Sequence, residues 1–236
     1  IEMTKSNSFI KYLNNINKAI NSLLERNLNK LKFDNIKFFA SNNKIILTVV
    51  ALFVLFISYI SIPTFYKQVD ISKRFEYELL KKFNLDFTFP QKLNYNLFPR
   101  PHFVTTNSSI IVDKKNITEI SEIKIFISLN NLTSIKNVNI NKVVIENANF
   151  EINNKNYNFF LKILNNNFLK TNLKIKNSKI FFRNVENEIL FINNIKNLKY
   201  YYDKNEFKNI LYSENEIFNI SYNFEAMNNE EEKKLY

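Results

Sequence analysis

The 236-residue chain sets 33 Lys and Arg against 22 Asp and Glu, a formal net charge of +11, with no Gly, no Cys, no Trp and a single histidine, His102. Phosphate-cradling loops, dinucleotide fingerprints and the nucleophile elbow all need glycine, for positive φ or close backbone approach to a ligand, so those sites are excluded. The common zinc and haem sites need several Cys or His ligands, and one histidine cannot supply them.

The acidic residues show no calcium-loop spacing. No residue is assigned as catalytic, cofactor-binding or metal-ligating, and no enzymatic activity or small-molecule cofactor is expected. Nucleic acid is not an expected partner either. Only four basic residues are Arg (Arg26, Arg74, Arg100, Arg183), and the scattered lysines lack the clustered basic face of nucleic-acid readers. Asn, Lys, Ile and Phe share AT-rich codons, which accounts for much of the composition. The Asn-x-Ser/Thr matches at Asn107, Asn116, Asn131 and Asn219 are therefore read as chance. Asn is expected to stand in for glycine at turns, because it tolerates left-handed backbone angles better than other residues.

Residues 1–44 hold eight Lys and Arg against three acids. Phe9, Leu13, Ile16, Ile20, Leu23, Leu24, Leu28 and Leu31 recur at helical spacing among Lys11, Lys18, Arg26 and Lys30. The pattern is a basic amphipathic helix suited to an anionic membrane surface or to packing on a partner. Residues 45–62 follow, eighteen without a charge, thirteen of them Ile, Leu, Val or Phe. As a helix they span roughly 27 Å, close to the hydrocarbon thickness of a bilayer. At about 0.3–0.6 kcal/mol for each large apolar residue, insertion is favoured by about 4–8 kcal/mol. The segment reads as an uncleaved signal anchor. The basic excess before it predicts a cytoplasmic N-terminus and an exported C-terminal part.

After Pro63 a short helix is expected, capped by Asp70 or Ser72, with Phe75, Leu79, Leu80 and Phe83 on one face and Asn84 at its end. Then period two takes over. Leu93, Tyr95 and Leu97 alternate with Lys92, Asn94 and Asn96, and Ile123, Ile125, Ile127 and Leu129 with Lys124, Phe126 and Ser128. Val138, Ile140 and Val144 continue the pattern, followed by Phe150 and Ile152, Leu173 and Ile175, Ile180 and Phe182, and Ile189 and Phe191. It ends in Phe218, Ile220, Tyr222 and Phe224. Such alternation marks strands with one buried and one solvated face. Turns are expected at 130–131, 153–158 and 184–187, a short helix or loop at 157–169, and a charged loop at 228–234. Residues 63–236 are thus read as a mainly β domain built on an antiparallel, curved, groove-like sheet. The first residue is Ile, and both ends read as cut from a longer chain.

The order of features in 45–152 resembles the N-terminal part of the AsmA-like family: an anchor, Pro63, Asp70, the helix 72–83, the strand 85–89, LFPRPHF (97–103) and IKIFISLNNLTSIKNVNINKVVIENANFEI (123–152). The chain departs from that family in having Asn84 where a glycine is usual and a 44-residue basic extension before the anchor. It is also shorter than most members. The resemblance implies a single-pass protein of a Gram-negative inner membrane whose β domain lies in the periplasm and serves outer-membrane biogenesis. The implied partners are membrane lipids, with phospholipid carried along a hydrophobic β-groove, or outer-membrane assembly proteins. An apolar sheet face is more often a packed core than a groove, and Ile125 and Ile140 are positions that separate the two. His102, between Pro101 and Phe103, reads as a turn residue at a strand start.

Overall fold

The computed structural model describes residues 44–112, 115–130, 132–157 and 171–229. The amphipathic segment and most of the expected helix or loop at 157–169 lie outside them. Two compact units emerge, Ile1–Ile57 and Ser58–Tyr236.

Helix α1, Lys44–Ser61, continues as a 3₁₀ turn, Ile62–Phe65. Its polar interruption is satisfied internally, since the Thr48 hydroxyl donates to the Lys44 carbonyl four residues back (2.9 Å). Within the apolar window 6% of residues are buried, whereas a core helix would be covered. The helix is long and apolar enough to cross a membrane.

The second unit starts before Pro63, because the last turn of α1 belongs to it. The Tyr59 hydroxyl donates to the Leu129 carbonyl (2.9 Å) and accepts from the Leu132 N–H (3.2 Å). The Tyr95 hydroxyl donates to the Ile60 carbonyl (2.6 Å), and the Tyr66 hydroxyl donates to the Leu132 carbonyl. Burial, helped by nearby Tyr66, pushes the Tyr95 phenol up to about 12, so it stays a donor.

Helix α2 runs Gln68–Phe83. It starts earlier than expected: Lys67, with no side-chain cap, is the N-cap, and its carbonyl accepts from the N–H groups of Asp70 and Ile71. Asp70 lies in the first turn instead, where a carboxylate favours the positive end of the helix dipole. Asn84 ends the helix as expected, left-handed at φ 52°, its N–H bonded to the Leu80 carbonyl. Ile71, Phe75, Leu79 and Phe83 are buried, each contributing roughly 1.5–3 kcal/mol. Leu80 is not part of that face and lies exposed.

Nine strands follow among the described residues: β1 Asp86–Thr88, β2 Asn94–Asn96, β3 His102–Val112, β4 Lys115–Ile127, β5 Ile140–Ile152, β6 Asn172–Arg183, β7 Ile189–Asp203, β8 Lys208–Ile217 and β9 Ile220–Asn229. They form one open sheet in sequence order from β3 to β9, and β1 and β2 both pair along the outer edge of β3. The expected all-antiparallel arrangement fails at one joint, where β5 and β6 are parallel. Adjacent antiparallel strands need only a tight turn, whereas a parallel pair needs a crossover of a dozen or more residues. Residues 153–171 supply that length. Strand β9 also runs on to Asn229, through positions expected to begin a charged loop.

A crease crosses the sheet. Asn107 in β3, Asn147 in β5 and Asn177 in β6 have φ of 52°, 54° and 47°. Ser121 in β4 lies between the first two in the register, its hydroxyl bonded to the Asn147 carbonyl (2.9 Å). At this line each strand turns two successive residues outward, so the buried set changes phase. It passes from Phe103 and Thr105 to Ser108 and Ile110, and from Val143 and Ile145 to Ala148 and Phe150. The register is the same on both sides of the line from β3 to β7. A bulge between Ile195 and Asn197 then absorbs the extra residue, and β8 does not share it. Small residues follow each left-handed Asn (Ser108, Ala148, Ser178) and are buried, as the inside of a bend requires.

On the outer side the crease is laced by charge. Lys124 bridges Glu122 (2.7 Å) and Glu146 (3.2 Å), and Glu146 also meets Lys176 (3.3 Å). Burial pulls the Glu146 carboxyl up, but hydrogen bonds from Lys124 and Lys176 more than offset it and hold it below 4.5. Lys124 is raised above 10.5, chiefly by its bond to Glu122. The depressed carboxyl contributes stability above the ordinary carboxylate range and loses it as pH falls through the folded value. The raised lysine contributes below 10.5 and loses it as pH climbs through its folded value. Glu146→Gln should therefore cost up to about 1 kcal/mol at neutral pH. Denaturant unfolding of variant and parent should converge in acid below the folded carboxyl pKa. A gap unchanged across that range would contradict the network's role.

Candidate functional site

The inner face of the sheet divides into a covered part and an open part. Helix α2 packs over the covered part: Phe75 meets Phe103 edge-on (ring centroids 5.1 Å) and Tyr95 leans on Phe103 from the other side (4.9 Å). Ile123, Ile125, Ile140, Val143 and Ile145 are buried in one cluster with Ile71, Phe75, Leu79 and Phe83. Ile125 and Ile140 are thus core residues, at 0% and 1% exposure. Over β3 to β5 the apolar face is a packed core.

The open part lies along β9. Leu211, Ser213, Asn215 and Ile217 of β8 stand opposite Ala226, Phe224, Tyr222 and Ile220 of β9. Ala226 is buried, but Phe224 is 43% exposed, Tyr222 38% and Ile220 69%. In the β8 row Leu211, Ser213 and Asn215 are buried, and its two polar residues satisfy each other: the Ser213 hydroxyl donates to Asn215 Oδ1 (2.8 Å), and the Asn215 amide donates to the Ser213 carbonyl (3.3 Å). An exposed apolar strip therefore runs along β9 beside the buried pair Ser213 and Asn215, with no helix over it among the described residues. Among the described residues β9 is also the last strand in the sheet, paired on one side only.

The strip ends in a strained turn. Phe218 and Asn219 form the two-residue loop between Ile217 and Ile220, with φ of 51° and 63°. Both central residues of such a turn need positive φ, which Asn and Gly accept readily and a bulky residue does not. Phe218 takes on that cost while 76% exposed, so its ring gives back little burial within the chain.

His102 opens β3 as expected. It is buried, its Nδ1 lies 2.7 Å from the Arg100 carbonyl, and its ring stacks on Phe126 (4.9 Å). A polar cleft of about 350 Å³ on the outer face is lined by Asn107, Ser109, Glu119, Ser121 and Asn149. Among the described residues no group of His, Cys, Asp or Glu could hold a metal ion.

The alternation of Ile220, Tyr222 and Phe224 is visible in the sequence; their exposure is not, since it depends on α2 lying elsewhere. No protein-family model matches the chain, and no curated protein matches it.

Proposed function

We propose that this is a membrane-anchored lipid-handling protein of the AsmA-like type, held by α1 in the inner membrane of a Gram-negative cell with its β-unit in the periplasm. Its role is to move phospholipid between the inner and outer membranes, with acyl chains shielded along the apolar strip of β9. One observation carries the reading: an uncovered row of Ile220, Tyr222 and Phe224 in the same chain as a helix long and apolar enough to cross a membrane. Each methylene buried on such a row contributes about 0.8 kcal/mol, so a few contacts suffice to hold a chain out of water. The exposed Phe218 at the end of the row fits an entry point for an apolar ligand. The covered half of the sheet, with Ile125 and Ile140, serves as the rigid support.

A photoreactive phenylalanine analogue placed singly at Tyr222 or Phe224 of the full chain should crosslink to phospholipid in cells. The same analogue at Ile125 should give protein crosslinks alone. The free edge of β9 favours a second reading, in which the protein assists outer-membrane proteins by pairing with their strands. Crosslinks from Tyr222 and Phe224 to outer-membrane proteins with no lipid adduct would select it.

A further inference from the structure

The end of the sheet that holds the last turn of α1 has a composition of its own. Three segments meet there: the 3₁₀ turn and its exit (62–67), the β2–β3 loop (97–101) and the loop between β4 and β5 (128–139). They are joined by the tyrosine bonds from Tyr59, Tyr66 and Tyr95, and by the Ile127 N–H bonded to the Pro101 carbonyl (3.4 Å). Phe65 is 85% exposed and Phe98 81%, and Leu129 is also exposed. Around them Lys67, Arg100 and Lys136 are exposed. None of the three segments contains an Asp or Glu.

We infer that this end of the β-unit docks on the lipid surface around its own anchor, with Phe65 and Phe98 seated among the headgroups and Lys67, Arg100 and Lys136 over anionic lipid. Three features point to a bilayer rather than a protein. The patch is continuous with the last turn of the apolar span, since Tyr59 and Ile60 are bonded into it. Its charge is of one sign, the complement of an anionic leaflet, where each basic residue contributes about 1 kcal/mol. Tyr59, Tyr66 and Tyr95 cluster where the span ends, which is where amphipathic rings gather in membrane proteins. Docking adds a second attachment beside the helix and fixes the tilt of the sheet on the membrane. The inference rests on α1 spanning a bilayer.

The chain has no tryptophan, so one introduced indole reports its surroundings without background. Four single variants of the full chain, reconstituted in vesicles containing anionic phospholipid, suffice: Phe98→Trp and Phe65→Trp in the patch, Phe53→Trp in the span and Val185→Trp at the opposite end of the sheet. With lipids brominated near the headgroup, Phe98→Trp and Phe65→Trp should lose most of their emission and Val185→Trp almost none. The loss should shrink in zwitterionic vesicles or on Arg100→Ser. Phe98→Trp and Phe65→Trp emission unchanged by brominated lipid would overturn the inference, as would equal loss at Val185→Trp. The same pair quenched by a copurifying protein instead of lipid would also overturn it. Phe53→Trp, read with bromines deep in the acyl region, separates the two claims. Quenching there with none at Phe98→Trp leaves the anchor standing and removes the docking. No quenching there removes the anchor, and with it the inference that rests on it.

Discussion

Replacing Phe103 with alanine should lower the stability of the β-unit by about 3–5 kcal/mol, the range for emptying a buried aromatic position. Phe103 is 1% exposed and lies between Phe75 of α2 and Tyr95 of β2. Its removal therefore loses two ring contacts as well as apolar burial. The loss should spread, because Tyr95 also holds the Ile60 carbonyl. Freeing its ring loosens the tie between the last turn of α1 and the sheet. Denaturant unfolding of the detergent-solubilised full chain reads the effect, and Phe103→Leu should recover part of it. A loss below about 1 kcal/mol, the ordinary size for surface changes, would mean that α2 does not cover β3.

The crease yields the second large effect. A left-handed backbone costs a residue with a Cβ roughly 1–2 kcal/mol, and a β-branched one more, whereas glycine bears no such cost. Asn107, Asn147 and Asn177 occupy that conformation with their side chains exposed, so changing them removes no packing. Asn147→Val should destabilise by about 2 kcal/mol, and Asn147→Gly should stay close to the parent. Val at all three positions should cost more than any one and should flatten the sheet, since β-branched residues favour extended strand geometry. If Asn147→Val matched Asn147→Gly in denaturant unfolding, the left-handed assignment would be wrong.

The two largest features, the apolar span and the strand-rich remainder, were legible because each follows from a local period. Asn84 was legible as a helix end, since the Asn-for-Gly substitution is a property of the residue itself. Among the described residues with positive φ, six are Asn, the others being Phe207 and Phe218. The parallel joint was not legible. Residues 153–171 could connect β5 and β6 with either polarity, and side-chain alternation carries no direction. The crease left a trace that reading by period passes over. The dipeptides Asn107-Ser108, Asn147-Ala148 and Asn177-Ser178 each sit where the apolar phase flips. Read against a strict period of two, such flips look like noise between separate strands. Ile125 and Ile140, the positions chosen to separate groove from core, are indistinguishable in sequence from Tyr222 and Phe224. Alternation says that a face is apolar; the elements packed on it, α2 and the β4–β5 loop among them, decide which part of that face is covered.

Lipid capture on β9 is the claim on which the functional account turns, and crosslinking in the intact, membrane-inserted chain tests it most directly. Phospholipid adducts at Phe224 and Tyr222, with none at Ile125 or Ile140, are the result the account predicts. Adducts to protein alone at all four positions would contradict it.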